Sequence, residues 1–235
     1  MSSHFINSVA QLIDETEKLS RIGLLLFRGQ DCNAPLLPKI ARDDCSVDTT
    51  DLEKGMLAEL KRRTARNPTS LGCDDWDALV VAQHFGMATR LLDWTSNPLI
   101  ALWFAIAQHE TQNDGYIFLM PVSDDIILDR VKNPSPFRTG GTRVFRPSVN
   151  NDRLSAQAGW FTAHVHSRKS GKFVDLSQNT SLKHCPRMKR VRATDKLPFL
   201  KTLDRLGINQ ESLFPGLEGT CRYVDWSFRT ARKAD

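Results

Sequence analysis

The sequence predicts a single α+β domain in which a mixed or antiparallel sheet is flanked by helices. Three observations carry that expectation. Stretches with apolar residues at i, i+3, i+4 and i+7 are interleaved with short apolar runs of strand length. No internal repeat or low-complexity segment divides the 235 residues, so one domain over residues 1–235, with its core at about 10–225, is the simplest organisation. Finally, one central stretch, Gln83 to Ala105 (QHFGMATRLLDWTSNPLIALWFA), sets a dense group of polar side chains between two apolar runs.

In chain order, residues 7–20 place Val9, Leu12, Ile13, Thr16 and Leu19 on one helical stripe, with Asn7 or Ser8 as cap. Gly23 breaks the pattern, and Leu24-Leu25-Leu26-Phe27 is a short buried strand that delivers Arg28-Gly29-Gln30 at its end. Ala34 to Ile40 is an extended connector, since Pro35 and Pro38 oppose helix. Thr50 or Asp51 caps a helix over Leu52 to Arg66, with Met56, Leu57 and Leu60 inward. A loop from Asn67 to Cys73 leads to Asp74, the N-cap of a helix over Asp75 to His84 that Gly86 terminates. Thr89 to Trp94 is irregular or briefly extended. Ser96 or Asn97 caps, and Pro98 opens, a helix over Leu99 to Gln108 whose ALWFAIA run is apolar on nearly all sides, the mark of burial. A strand follows at Tyr116 to Pro121. Asn133 to Asn150 lacks periodicity and reads as a long loop, functional or mobile. Phe161 to His166 is strand-like, Ser167 to Arg192 is basic and irregular, and helices are expected over Lys196 to Leu206 and Leu217 to Phe228.

Composition narrows the function classes. No apolar run approaches the ~20 residues that span a bilayer, and the opening MSSHFINSVAQLIDETEKL lacks the basic and apolar regions of a signal peptide. A cytoplasmic protein without a membrane partner is expected. Cys32, Cys45, Cys73, Cys185 and Cys221 are widely spaced and never C-x-x-C, which favours reduced thiols over a disulfide framework. His164 and His166 alternate on one strand face, but no third ligand stands at metal-binding spacing, and no metal is expected. The net charge of +5 hides an asymmetry: residues 1–130 carry 12 Lys and Arg against 19 Asp and Glu, residues 131–235 carry 20 against 8. The basic half, notably Lys169, Lys172, Lys183, Arg187, Lys189, Arg190 and Arg192, suits RNA, DNA or a phosphate-bearing ligand. The alternative is a solvated surface with no dedicated partner.

The central stretch is the richest in chemistry. Each unpaired polar group buried costs roughly 1–3 kcal/mol, so its many hydrogen-bonding groups imply a loop held rigidly on a core and presenting polar side chains. Arg28, ionised directly after an apolar strand, must find a carboxylate, a carbonyl or a ligand anion. Arg28, His84, Arg90 and Asp93 are expected in one contiguous site; the alternative is that Arg90 and Asp93 form only a local ion pair.

Phe27-Arg28-Gly29-Gln30, Leu37-Pro38-Lys39-Ile40, Gln83-His84-Phe85-Gly86, Thr89 to Thr95, Asn97-Pro98 and Ala101 to Ala105 together resemble the FRG domain family, named for its Phe-Arg-Gly tripeptide. The later Arg153-x-x-x-Gln157-x-Gly159-x-Phe161-Thr162 block and Gly207-Ile208 to Leu213-Phe214-Pro215 fit it as well, so the resemblance covers about residues 10–225. The family is common in bacteria and phages, and membership names no reaction. The order of an Arg at a strand end, an aromatic-Thr-Ser segment and a late polar residue before a strand further resembles the three-part site of mono-ADP-ribosyltransferases. That resemblance implies a split-sheet fold and NAD as cofactor. Carried over residue by residue, Arg28 anchors the NAD phosphate or ribose, Trp94-Thr95-Ser96 faces the nicotinamide, and Gln157 stands where that group has a ribose-gripping Glu. Gln157 can hydrogen-bond a ribose hydroxyl but lacks the negative charge that stabilises an oxocarbenium-like transition state, which Asp93 would supply. His84 and Arg90 complete the expected cofactor-binding set. Two functions follow: an ADP-ribosyltransferase-like effector in phage defence or a toxin system, or a noncatalytic module binding nucleic acid or a nucleotide. A Ser96–His84–Asp93 triad lacks the G-x-S-x-G elbow, and neither a Walker loop nor G-x-G-x-x-G is present.

Overall fold

A computed structural model describes residues 5–20, 23–66, 71–148, 151–180 and 182–232. Its elements run α1 (Val9–Ser20), β1 (Leu25–Gln30), α2 (Thr50–Arg63), α3 (Asp75–His84), β2 (Leu91–Thr95), α4 (Pro98–Ile106), β3 (Gly115–Pro121), β4 (Arg143–Phe145), α5 (Asp152–Ala156), β5 (Gly159–Ala163), β6 (His166–Ser167), β7 (Lys172–Phe173), β8 (Arg187–Val191), α6 (Lys196–Arg205), α7 (Gln210–Leu213) and α8 (Leu217–Arg232). Six strands form one sheet in the order β4-β5-β2-β1-β3-β8, and each neighbouring pair is antiparallel. β6 and β7 make a separate two-stranded ribbon. The expected α+β class with an antiparallel sheet and flanking helices is the observed one.

Strand alternation distributes the core over both sheet faces. Leu25 and Phe27 face α4, and with Leu12, Leu102, Phe199 and Leu203 they build the largest apolar cluster. Leu26, Leu92, Trp94 and Phe118 turn to the other face, where Leu36, Leu176 and Leu182 cover them. A third cluster joins α3, through Trp76, Leu79 and Val80, to Leu91, Phe145 and Phe161. α4 begins where Asn97 accepts a hydrogen bond from the Leu99 N–H and Pro98 occupies the first turn. It lies directly on the sheet backbone: a Cβ at Gly29 would sit 1.9 Å from the Ala101 carbonyl oxygen, and one at Gly115 would sit 2.5 Å from that of Ala105.

The structure corrects several local expectations. Of the two readings of Thr89 to Trp94, irregular or briefly extended, the extended one holds, because Leu91 to Thr95 forms a five-residue strand between β1 and β5. β4 falls inside the presumed loop 133–150, of which residues 149–150 lie outside the described residues. The expected loop Asn67 to Cys73 likewise has residues 67–70 outside the described residues. β5 starts at Gly159 and stops at Ala163, so His164 and His166 do not share a strand face. His164 Nε2 meets Thr162 Oγ1 at 3.0 Å, whereas His166 Nε2 meets the Ser46 carbonyl at 3.0 Å. The basic stretch after Ser167 contains β8, the edge strand beside β3. Among the described residues, no helix is long and apolar enough to cross a membrane.

Candidate functional site

The sheet is thinnest in its middle. β1 matches β3 over six register pairs but β2 over one, Phe27 opposite Thr95. Continued in that register, Gly29 would face Asp93. Instead the side chain of Arg28 reaches across, its Nη1 donating to the Asp93 carbonyl at 2.8 Å. Each residue of the tripeptide thus has its own task. Phe27 is buried under α4, Arg28 bridges the seam, and Gly29 lacks the Cβ that the α4 backbone would strike.

Over this seam opens a cleft of about 310 Å³. The sheet supplies Phe27, Arg28, Gly29, Asp93, Trp94, Thr95 and Phe161; α3 supplies Val80, Gln83 and His84; α4 supplies Phe104. Arg153 and Leu154 of α5, with Gln157 just after it, close the remaining side. α5 is short, but Asn151 caps it by accepting from the Arg153 and Leu154 N–H groups. Two residues past its end stands Ala158, whose φ of 46° is the one left-handed non-glycine conformation among the described residues. The Ala158 carbonyl accepts from the Ser96 N–H at 3.2 Å, which ties the strained turn to the start of α4.

The polar groups of the cleft hold one another in place. Arg28 also donates from Nε to Gln30 Oε1 at 3.0 Å, while its Nη2 has no hydrogen-bond partner among the described residues. Desolvation pushes its guanidinium down to about 10, opposed by Asp93 and reinforced by Arg42, so it is still a cation at neutral pH. Asp93 accepts from Gln83 Nε2 at 2.8 Å, and its other carboxylate oxygen lies 4.0 Å from Arg28 Nη1. Gln83 is fixed in turn by a short hydrogen bond from the Thr89 hydroxyl to its Oε1. The Asp93 side chain is 64% exposed, so the carboxylate is anchored yet open to solvent. His84 is held below its ordinary value by burial and then by the Arg153 charge. Arg153 lays its guanidinium over the Phe214 ring, 4.6 Å from the centroid, and pairs with no carboxylate among the described residues. Gln157 donates from Nε2 to the Leu213 carbonyl at 3.1 Å, joining the cleft wall to α7.

Of the site residues expected from sequence, Arg28, His84, Asp93, Trp94, Thr95 and Gln157 line this cleft, and Arg90 and Ser96 do not. Arg90 is a correction on both counts, since it neither joins Arg28 nor pairs with Asp93. It turns to the other side of the strand, where its Nε donates to Glu53 Oε2 at 2.6 Å and its backbone N–H to Glu53 Oε1 at 2.7 Å. Nη1 and Nη2 donate to the Pro136 carbonyl and Thr50 Oγ1, and Phe137 stacks on the guanidinium. Ser96 is exposed beyond the end of β2. Trp94 contributes floor rather than an exposed ring: it is 3% exposed and its Nε1 donates to Thr162 Oγ1 at 3.0 Å. Sequence reasoning passed over Gln83, Phe104 and Arg153 as site residues. The signal for Arg153 was available, because Arg153 and Gln157 stand four apart and so share one side of a helical turn.

Three cations of the basic half have carboxylate partners within the chain. Lys189 pairs with Glu15 at 3.1 Å, Arg190 with Asp114 at 2.6 Å and Arg192 with Asp195 at 3.5 Å. Lys169, Lys172, Lys183 and Arg187 are exposed.

Residues 24–114 match the family model of the FRG domain, a span that contains Arg28, Gln83, His84, Asp93 and Phe104 of the cleft. Comparison with curated proteins and with solved structures gives no match.

Proposed function

From the premise that this chain carries an FRG domain, we propose that the cleft over the β1–β2 seam binds a nucleotide, with NAD the first ligand to test. One observation carries the proposal. Arg28 is braced at the seam by two hydrogen bonds and still keeps one edge of its guanidinium without a partner among the described residues, in a cleft that also offers Asp93, Gln157, Thr95 and His84. A planar cation suits a phosphate oxygen. Carboxylate and amide oxygens suit ribose hydroxyls, and Phe27, Phe104 and Phe161 provide apolar wall. The volume is at the small end of ligand sites, roughly 300–1,000 Å³, so part of a dinucleotide would lie outside.

ADP-ribosyl transfer is the second reading, and Asp93 is what favours it. In such a step the bond between ribose C1′ and nicotinamide breaks, nicotinamide leaves with the electron pair, and C1′ bonds to an acceptor nucleophile that gives up its proton. Asp93, anchored by Gln83 and beside Arg28, is the carboxylate of the cleft that can face the developing positive charge. Gln157, its amide already bonded to Leu213, serves binding only. A setting in phage defence or a toxin system rests on the family resemblance alone.

Isothermal titration with NAD tests the binding, and incubation with labelled NAD and cell extract tests the transfer. Arg28→Lys is expected to abolish binding while lowering stability by only about 1 kcal/mol, the worth of an ordinary hydrogen bond. Asp93→Asn is expected to spare binding and remove transfer. No heat with NAD or other nucleotides, together with an Arg28→Lys protein that unfolds, would return Arg28 to a purely structural role.

A further inference from the structure

Arg153 has no part in the mono-ADP-ribosyltransferase pattern, yet it occupies the cleft on a prepared support. Its guanidinium carbon lies over the Phe214 ring, 4.6 Å from the centroid. Phe214 is itself wedged against Trp103 and Phe104, with ring centroids 5.9 and 6.1 Å apart. The backbone behind that ring is clamped from two sides. Gln157 Nε2 donates to the neighbouring Leu213 carbonyl, and a Cβ at Gly219 of α8 would come within 1.8 Å of the Phe214 carbonyl oxygen.

A guanidinium held over an aromatic face by cation–π attraction keeps its N–H donors available for other partners. Those of Arg153 hydrogen-bond to no group among the described residues, and no carboxylate there neutralises it. Arg28 approaches the same cleft from the sheet with one unpartnered edge. Two guanidinium groups from different walls, with Asp93 the single carboxylate among the lining residues, leave a net positive charge and two separate donor edges, one for each of two anionic groups.

We propose that Arg153 is the second anion anchor of the nucleotide cleft, and that the site is specific for ligands carrying a diphosphate, one charged group on Arg28 and the next on Arg153. The inference rests on the nucleotide reading above and names its substrate class: diphosphate-bearing ligands over monophosphates and over nucleosides that carry no phosphate. Phe214 is the positioning residue for Arg153 and touches no ligand itself.

The test uses inorganic pyrophosphate, inorganic phosphate, NAD and nicotinamide riboside as probes in calorimetric titrations of the full chain. Wild-type protein is expected to bind pyrophosphate and NAD, phosphate more weakly, and the riboside not measurably. Arg153→Gln is expected to weaken pyrophosphate and NAD by about tenfold to a hundredfold, the loss of a charge-assisted hydrogen bond, and to erase the preference over phosphate. Phe214→Leu, which keeps apolar bulk but removes the stacking face, is expected to weaken pyrophosphate several-fold with phosphate unchanged. Thermal melts of each variant separate these effects from unfolding. If Arg153→Gln folds and binds NAD like wild type, the second anchor is wrong while the nucleotide cleft stands. Should wild type bind neither NAD nor pyrophosphate, both proposals fall together.

Discussion

Two arginines on either side of the central strand show what separates a structural cation from a functional one. Arg90 is enclosed: its side chain is 2% exposed, Glu53 opposite it is 0% exposed, and each guanidinium nitrogen has a hydrogen-bond partner. Arg28 is braced but open, with a side chain 15% exposed and an Nη2 that has no partner among the described residues, at a cleft. Both follow the rule that a buried charge must be paired. Only the incompletely satisfied one has capacity left for a ligand.

The largest expected effect is therefore on the enclosed pair. Arg90→Ala leaves the Glu53 carboxylate buried without its cation, at a cost of about 3–5 kcal/mol, which corresponds to a fall of roughly 10 °C in Tm for a chain of this size. The double change Arg90→Met with Glu53→Leu is expected to recover much of that loss, since it removes both charges together. Differential scanning of the two proteins checks this. A stable Arg90→Ala protein that no longer binds NAD would break the comparison and put Arg90 back in the site.

Between the two arginines sits His164, and it predicts a pH effect of intermediate size. It is buried, and burial, then Arg28 and Arg90, lower its value to about 3 from an ordinary 6.5. Thr162 Oγ1 accepts from Trp94 Nε1 at 3.0 Å and lies 3.0 Å from His164 Nε2, and burial holds the imidazole neutral. In the unfolded chain the same histidine protonates near pH 6.5. Its contribution to stability is thus complete above pH 6.5 and is lost as pH falls from 6.5 towards 3, by about 1.4 kcal/mol per pH unit. Chemical denaturation of wild type and His164→Gln at pH 7.5 and pH 5 is expected to show the steeper decline in wild type. Equal declines would mean that His164 is charged in the fold.

The smallest effect concerns the basic surface. With Lys189, Arg190 and Arg192 each paired with a carboxylate of the chain, charge reversal at Lys169, Lys172 and Lys183 is expected to leave stability within about 0.5 kcal/mol. Any weak RNA affinity would lose most of its salt dependence. A steep salt slope that survives the triple change would locate a polyanion site elsewhere on the chain.

How much of this was legible follows from what each segment had to satisfy. α1, α3, α4 and β3 were readable because an apolar stripe, a cap or an apolar run marks each. β8 was not: Arg187-Met188-Lys189-Arg190-Val191 carries three cations, a composition that suits a sheet edge guarded against further pairing. β4 is three residues long in a Pro- and Gly-rich segment and forms because β5 offers it a partner. In the site, residue types announced polarity but not direction. Asp93 and Arg90 are three apart, and on a strand an odd separation sends side chains to opposite faces. An irregular loop would have allowed them to meet. Gln83 falls in the expected helix over Asp75 to His84, and nothing in its spacing directs its amide to Asp93.

The single register pair between β1 and β2 has a mechanical consequence. The sheet is two antiparallel ribbons, β8-β3-β1 and β2-β5-β4, laid edge to edge with one rung between them. What keeps them aligned is a splint on each side: α4 lies along one face, and the Leu26, Leu92, Trp94 and Phe118 packing crosses the seam on the other. Apolar packing carries the load that ladder hydrogen bonds carry in an ordinary sheet. The backbone groups along the joint are thereby released from holding the two ribbons together, and a molecule seated on Arg28 and Asp93 would act as a removable rung.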